Sequence, residues 1–322
     1  MVMTIHSAII DFLEYMEIDK GSSLLTVKNY DHYLQRFAAF ARKAEILEPG
    51  RIDLDLVHRY RLFLHRLPAS PSQGGPDLSK KNIISKSTAN YHLIALRAFL
   101  KYLSIKGVKT LSPERIELAK TDERQISFLD DEELDSILKQ PNLRSLQGKR
   151  DKAILDLFFS TGLRVSELCD LKKDDINLEK SEFSVSGKGG KVRVVFLDHE
   201  ARESIKGYLN IRNDKIPYLF ISYGHSLHPS PSSLHPSPIT PRSVQRMIRK
   251  YAKMAGITKH VSPHTMRHSF ATDLLMSGAD IRSVQQLLGH SSITTTQIYT
   301  HVTDQHLAEV HQAFHGRRRK DE

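Results

Sequence analysis

Apolar side chains in the first hundred residues recur three or four positions apart, which is the spacing of one helix face. This periodicity predicts four helices, over residues 7–15, 26–44, 54–67 and 87–105. Ser87 or Thr88 could cap the fourth helix, because a hydroxyl oxygen can accept a backbone N–H of the first turn. The first third of the chain is therefore predicted to form a small all-helical domain.

From residue 126 onward the pattern is mixed. Two short β-type runs, 182–185 and 192–197, flank a glycine-rich stretch and predict a hairpin with Lys188 in its turn. A helix capped by Asp130 or Asp131 is predicted to run to Lys139. Helical spacing predicts further helices over 150–159, 200–209, 241–255, 265–276, 281–288 and 304–313. The chain as a whole is predicted to be mainly α with a small β-sheet.

Three segments have compositions that are typical of connections. Residues 68–77 contain three prolines and two glycines, which predicts an exposed loop. Residues 107–124 combine Ser112-Pro113 with several charges, and we interpret them as an interdomain linker. Residues 226–232 are nearly repeated as 233–238 and are rich in Pro and Ser, so they predict a flexible insertion that builds no core.

The charge balance narrows the class of partner. Lys and Arg outnumber Asp and Glu by 47 to 37, a net charge of +10, which favours a polyanion such as nucleic acid. The single cysteine, Cys169, excludes an internal disulfide and is expected to be an inert, partly buried helix residue. There is no apolar run of the ~18 residues that a membrane span needs, and no basic region near Met1 that would indicate a signal peptide. We therefore expect a cytoplasmic protein.

An ordered series of basic and nucleophilic groups occupies the second half. These groups are Arg164 in Thr161-Gly-Leu-Arg-Val-Ser-Glu-Leu168, Lys188 in Ser186-Gly-Lys-Gly-Gly-Lys191, His264 and Arg267 in Pro263-His-Thr-Met-Arg-His268, His290 in Leu288-Gly-His-Ser291, and Tyr299 nine residues later. Such groups can bind a DNA phosphodiester, attack it and protonate its leaving group without metal ligands. Two guanidiniums suit the phosphate especially, because their forked donors match its non-bridging oxygens.

In their order and spacing these motifs resemble the tyrosine recombinase family, and among its branches the Xer recombinases most closely. The resemblance covers nearly the whole chain. It implies a SAM-like core-binding helical domain over 1–106, a linker over 107–124, an α+β catalytic domain over 125–315 and a basic tail over 316–322. It also implies site-specific cutting and rejoining of DNA through a 3′-phosphotyrosine and a Holliday junction, with no metal and no high-energy cofactor.

The resemblance assigns a role to each group. Arg164 and Arg267 would bind the non-bridging oxygens, and His264 would exchange protons with the tyrosine or the phosphate. The remaining assignments are Lys188 as general acid, His290 as a hydrogen-bond donor to the scissile phosphate or the bridging oxygen, Tyr299 as nucleophile, and Glu167 as a support one helical turn from Arg164.

Alternatives remain at several positions. Lys191 competes with Lys188 for the general-acid role, and Glu167 could be an ordinary ion pair of a helix surface. Zinc binding by His264 and His268 is disfavoured, because Thr265 occupies the place where the metalloprotease pattern has Glu. A nucleotide-binding loop is disfavoured as well, since a glycine rather than Ser or Thr follows Lys188.

Two biological roles fit this chemistry. The first is resolution of chromosome dimers at a dif-like site, prompted by an FtsK-type translocase, and the second is integration or excision of a mobile element. The first predicted helix starts close to Met1, which favours the first role because no arm-binding domain would precede it. An inert DNA-binding regulator of the same fold is a more remote alternative. The expected assembly is a homo- or hetero-tetramer on two duplexes, in which the segment with Leu307, Val310 and Phe314 docks onto a neighbouring protomer.

Overall fold

The computed structural model describes residues 3–68, 83–121, 128–187, 190–223 and 237–289. The chain divides into two compact units, 1–124 and 125–322. Three of the predicted site residues, Lys188, His290 and Tyr299, lie outside the described residues, as do most of the Pro/Ser repeat and the predicted helix over 304–313. Within the described residues, no helix is both long and apolar enough to cross a lipid bilayer.

Four α-helices make up most of the first unit in its described residues, as predicted. They are α1 (Ile5–Ile18), α2 (Leu24–Lys43), α3 (Leu54–Arg66) and α4 (Lys86–Ile105). The prediction of the α4 cap was wrong by two or three residues. Ser85 caps this helix, because its side-chain oxygen accepts the N–H of Thr88 at 3.1 Å, and the preference for a hydroxyl at this place does not choose among neighbouring Ser and Thr residues.

A polar cluster lies inside the otherwise apolar core of this unit. His92 is 1% exposed, and its Nε2 lies 3.0 Å from Arg36 Nη1 while its Nδ1 lies 3.3 Å from the Tyr60 hydroxyl. Because a guanidinium can only donate, His92 Nε2 must accept, so the neutral ring carries its proton on Nδ1. Burial and the positive charge of Arg36 lower the pKa of His92 to about 4 and keep it neutral.

The second unit combines seven helices with two small antiparallel sheets in its described part. The helices are α5 (Asp131–Leu138), α6 (Leu146–Thr161), α7 (Val165–Asp170), α8 (His199–Leu209), α9 (Pro241–Met254), α10 (Pro263–Met276) and α11 (Ile281–Leu288). The strands are β1 (Glu182–Ser186), β2 (Val192–Phe196), β3 (Ile221–Ser222) and β4 (Ser237–Pro238). The predicted class, mainly α with a small β-sheet, is confirmed. The sequence predicts a helix around Glu167 and Cys169 but not its bounds, which the structure gives as those of α7, and the β3–β4 pair was not predicted.

Helix α6 is buried, and its C-terminal end leads directly into the candidate site. It ends at Gly162, whose φ of +57° lies in the left-handed region that favours glycine. Gly162 also lies against α10, since a Cβ there would be 2.4 Å from Cδ1 of Phe270. The close approach of α6 and α10 brings the start of α7 next to the middle of α10.

The predicted β-hairpin is confirmed, with Phe183 opposite Val195 and Val185 opposite Arg193. Phe183, Val185 and Val195 are buried in the core of the second unit. Side chains alternate between the two faces of a strand, so Arg193 shares the core-facing side of β2 with Val195. A charged side chain therefore lies on the face that the hairpin turns toward the protein.

Candidate active site

Arg164 lies at the start of α7, directly after the turn at Gly162 and Leu163. Its backbone N–H donates to Glu167 Oε2 at 2.9 Å, which satisfies one of the free donors at this helix start. Its guanidinium donates to Glu167 Oε1 at 2.7 Å and to the carbonyl oxygen of Gly289 at 2.9 Å. The side chain is 29% exposed, so Arg164 is fixed by its neighbours and still open to solvent.

The Glu167 carboxylate is the centre of a buried ion network. Besides Arg164 it accepts a paired bond from Arg193, with Nη1 at 2.9 Å from Oε1 and Nη2 at 2.7 Å from Oε2. Burial raises the pKa of Glu167, but the hydrogen bonds from Arg193 and Arg164 outweigh it and lower the pKa to about 2. Glu167 therefore binds both Arg164 and Arg193 in one network, rather than Arg164 alone in an i,i+3 pair.

Arg193 is part of the site and was not predicted. Its side chain is 10% exposed, and besides binding Glu167 it donates from Nε to the carbonyl oxygen of Leu287 at 2.9 Å. Arg193 belongs to the β-hairpin and not to a cluster of reactive groups, so no motif indicates it. The alternation of side chains along β2 could have indicated Arg193. Val195 is apolar and expected to face the core, so position 193, two residues earlier, is expected on the same face.

Arg267 joins α10 to two other elements. It is 5% exposed, and its Nη1 and Nη2 donate at 2.5 Å to the carbonyl oxygens of Gly162 and Leu288. One guanidinium thus connects the end of α6 with the end of α11. The predicted meeting of Arg164 and Arg267 has a geometric basis, because both bind the last turn of α11 and its C-cap, Gly289.

Three consecutive carbonyls at the end of α11 each accept from a different arginine. Leu287 accepts from Arg193, Leu288 from Arg267 and Gly289 from Arg164. The last carbonyls of a helix have no partner within it and form the negative end of the helix dipole, so positive donors stabilise them. We call this arrangement the arginine-capped end of α11. It matters for the site because His290 is the next residue in the chain.

His264 lies at the start of α10, after Pro263, one turn before Arg267. Partial burial and the charges of Arg267 and Arg164 lower the pKa of His264, so the ring is neutral at neutral pH. His268, one turn further, has its pKa lowered to about 4 by burial, by the repulsion that a protonated His264 would exert and by the charge of Arg267. Both imidazoles therefore border the arginines in their uncharged form, and His264 is the more exposed of the two.

The hairpin turn also reaches this network. A Cβ on Gly187 would lie 3.5 Å from Glu167 Oε1 and 3.6 Å from Arg164 Nη1, so the backbone just before Lys188 is close to both. Lys191, the competing lysine, is exposed. The structure thus brings together Arg164, Glu167, His264 and Arg267. The roles of Lys188, His290 and Tyr299 stay predictions, since these residues lie outside the described parts of the chain.

Glu167→Gln should expose the pH dependence of this network. The folded pKa of about 2 lies below the usual glutamate pKa of 4.5, so Glu167 contributes stability in full above pH 4.5 and loses it as the pH falls toward 2. At pH 7 the variant should lose about 3 kcal/mol in the free energy of unfolding, and this deficit should shrink below pH 4.5. Urea unfolding at pH 7 and pH 3.5 measures it. Glu200→Gln, at an exposed site, is the control, and a Glu167 deficit of equal size at both pH values would contradict the network.

Comparison with known proteins identifies the class to which this site belongs. Residues 127–306 match the domain described as "Phage integrase family", and residues 9–107 match "Phage integrase, N-terminal SAM-like domain". Tyrosine recombinase XerC of Thermodesulfovibrio yellowstonii is 36% identical over 317 residues, which cover 98% of each chain. Tyrosine recombinase XerD of Listeria innocua is 33% identical over 314 residues, which cover 95% of this chain and 98% of the relative.

Solved structures agree with this at the level of the fold. The Tn1549 transposon integrase in complex with transposon right-end DNA superposes with a TM-score of 0.69 at 18% identity, covering 92% of this chain and 94% of the integrase. XerH site-specific recombinase bound to palindromic difH substrate, in its post-cleavage complex, gives a TM-score of 0.65 at 22% identity over 94% of this chain and 84% of XerH. The resemblance inferred from the motifs is confirmed, and the chain belongs to the phage integrase family as a site-specific tyrosine recombinase of the Xer type.

Proposed function

We propose that this recombinase resolves chromosome dimers at a dif-like site in the cytoplasm, cutting and rejoining each strand through a 3′-phosphotyrosine. The observation that carries the proposal is the meeting of Arg164 and Arg267 at the end of α11, immediately before the segment with His290 and Tyr299. Alignment with XerC and XerD relatives over nearly the whole chain favours the housekeeping role over service to a mobile element.

In this proposal the two arginines bind the non-bridging oxygens of the scissile phosphate. A guanidinium has five N–H donors, so Arg164 can keep its bonds to Glu167 and Gly289 while it binds a phosphate oxygen. The carbonyl and carboxylate contacts hold the guanidiniums before DNA arrives. Donors oriented in advance stabilise the charge that develops in the transition state without having to reorganise.

His264 is proposed to receive a proton only when DNA is bound. In the free protein the charges of Arg267 and Arg164 help to keep the pKa of His264 low. A bound phosphate offsets those charges, and an anion near an imidazole raises its pKa. His264 would then accept the proton of the Tyr299 hydroxyl, which must be lost when that oxygen attacks phosphorus.

The other roles come from the family resemblance. Lys188 would protonate the departing 5′ oxygen, with Lys191 as the competing candidate, and His290 would donate a hydrogen bond to the phosphate. The 5′ hydroxyl that is released would attack the phosphotyrosine of a partner strand, and the ester energy is conserved in the covalent link. The closeness of the Gly187 backbone to Glu167 and Arg164 supports a place for the hairpin turn at this centre.

The proposed assembly is a homo- or hetero-tetramer on two DNA duplexes. The net charge of +10 supports contacts to DNA phosphates, and the basic residues Arg317 to Lys320 would add non-specific affinity. The segment with Leu307, Val310 and Phe314 would dock onto a neighbouring protomer. An FtsK-type translocase is the proposed activator, since dimer resolution has to be coupled to the movement of the chromosome.

A plasmid with two directly repeated copies of the host's dif-like site tests the proposed role. The purified chain, alone or with the host's second Xer-type recombinase, should resolve this plasmid into two circles in the presence of EDTA. A plasmid with one scrambled copy serves as the control. Recombination at the ends of a mobile element, but not at the dif-like site, would overturn the housekeeping role and keep the recombinase class.

A further inference from the structure

We propose that Arg193 is a positioning residue for DNA cleavage, which orients Arg164 through Glu167 and holds the end of α11 through the carbonyl of Leu287. The inference rests on the proposed function, because it assigns Arg193 to the same cleavage centre. Arg193 is not among the groups expected to touch the phosphate. It acts instead on two parts of the site. One is the guanidinium of Arg164, and the other is the backbone at the end of α11, which leads into His290 and Tyr299.

The bonding of the Glu167 carboxylate is the first argument. Each carboxylate oxygen accepts two hydrogen bonds: Oε1 from Nη1 of Arg164 and Nη1 of Arg193, and Oε2 from the backbone N–H of Arg164 and Nη2 of Arg193. A carboxylate has about four acceptor positions, so these four donors satisfy it. Arg193 supplies half of them from a single fork.

Removing the paired donors of Arg193 should change the way in which Arg164 binds Glu167. Without Arg193, each oxygen of Glu167 would have one acceptor position open. Arginine and carboxylate prefer the paired arrangement, so Arg164 would turn to bind both oxygens itself. That turn would draw its Nη2 away from Gly289 and toward Glu167. Arg193 thus keeps Arg164 bound to Glu167 by one side-chain bond only, which leaves the guanidinium directed toward α11.

The backbone contacts are the second argument. Arg193 Nε donates to the carbonyl of Leu287 at 2.9 Å, and a Cβ on Gly289 would lie 2.9 Å from Cδ of Arg193. The aliphatic part of Arg193 therefore packs directly against the backbone that ends α11. Gly289 has a φ of +62°, so glycine there meets both the conformation and the close approach. Arg193 connects β2 to the arginine-capped end of α11, five residues along the chain from Lys188.

The test compares single-turnover formation of the covalent adduct on a nicked duplex carrying the host's dif-like site. Arg193→Met should lower the rate on the order of 100-fold, the size expected of a small displacement of catalytic groups, while the Kd for the duplex changes little. Arg193→Lys keeps the charge but loses the fork, so it should recover only part of the rate. A rate for Arg193→Met within threefold of wild type would overturn the proposal.

Arg212→Met is the matched control. Arg212 is 1% exposed, forms a paired contact with Asp214 and donates to several backbone carbonyls, but it does not contact the site residues described above. It should lower the melting temperature at least as much as Arg193→Met and leave the adduct rate per folded molecule unchanged. Equal loss of rate in both variants would mean that Arg193 acts only through stability.

A double-mutant cycle with Glu167→Gln asks whether Arg193 acts through Glu167. Residues that act as one unit give non-additive effects. We expect the double variant Arg193→Met/Glu167→Gln to be no more than about threefold slower than the slower single variant. Multiplication of the two single effects would overturn the route through Glu167.

Hydrogen exchange of residues 284–289 in the DNA-free protein gives a readout that does not depend on activity. Arg193→Met should speed exchange there roughly tenfold, as expected for loss of a hydrogen bond to a charged donor, with no change in Arg212→Met. If the wild-type protein forms no adduct on the nicked dif-like duplex, the proposed function is wrong for that DNA site. The role of Arg193 is then tested by the exchange experiment alone. Unchanged exchange at 284–289 would then overturn the inference.

Discussion

Replacing Tyr299 with phenylalanine is expected to abolish the covalent protein–DNA adduct while leaving DNA binding intact. The change removes one oxygen, and that oxygen is the proposed nucleophile, so no phosphotyrosine can form. The phosphate contacts proposed for the two arginines would be retained, and binding of the duplex should stay within about twofold, because phosphate contacts supply most of the affinity. The measurement is denaturing electrophoresis of the adduct on nicked dif-like DNA in EDTA, beside a gel-shift titration.

Tyr218→Phe is the control for this experiment. Tyr218 lies in the same unit, in the connection after α8 where its carbonyl accepts from Arg212, and it has no proposed part in the chemistry. It should form the adduct at the wild-type rate. An adduct from Tyr299→Phe that peptide mapping assigns to another tyrosine would disprove the nucleophile and leave the family membership untouched.

The second large effect is expected for Arg267→Lys. A lysine keeps the charge, but its single ammonium cannot reproduce a planar fork that binds Gly162 and Leu288 together. Loss of one such oriented donor should lower the single-turnover cleavage rate on the order of 100- to 1,000-fold, about 3–4 kcal/mol. The same change leaves a buried carbonyl without its donor, so the free energy of unfolding should fall by about 1–3 kcal/mol.

Arg212→Lys separates the two consequences. It makes the same exchange at a buried arginine that also holds a carboxylate and backbone carbonyls. It should lower stability by a similar amount and spare cleavage. The role of Arg267 would be contradicted if its variant, measured at a temperature where it is fully folded, cleaved within threefold of wild type.

The sequence predicted the main elements because they have strong periodicity. The hairpin and α11 were found at nearly their observed bounds, since alternation and helical spacing are clear there. The bounds of the short α7 were not predicted, because six residues carry too little periodicity. Its start is stabilised by the Glu167 carboxylate, which accepts the backbone N–H of Arg164. The α4 cap was misplaced since several hydroxyl residues stand side by side.

For the site, motif order predicted which arginines and histidines matter but not what holds them. Arg193 has no motif of its own, and its partners Glu167 and Leu287 are 26 and 94 positions away, so only the tertiary structure brings them together. A sequence motif also cannot indicate which backbone carbonyls bind the arginines, because every residue carries a carbonyl. The choice between Lys188 and Lys191 stays open for the same reason, since both belong to one glycine-rich turn.

The arginine-capped end of α11 has a consequence for how this region can be probed. All three acceptors are peptide oxygens, which survive any side-chain substitution. An alanine scan across the turn would therefore record the packing of Leu288 and miss three charged contacts altogether. Replacing the peptide links after Leu287, Leu288 and Gly289 with esters, whose carbonyls are weaker acceptors, would reveal them. The side chains of this turn can thus be substituted while its carbonyls stay bound to the arginines, provided that Gly289 keeps its left-handed backbone.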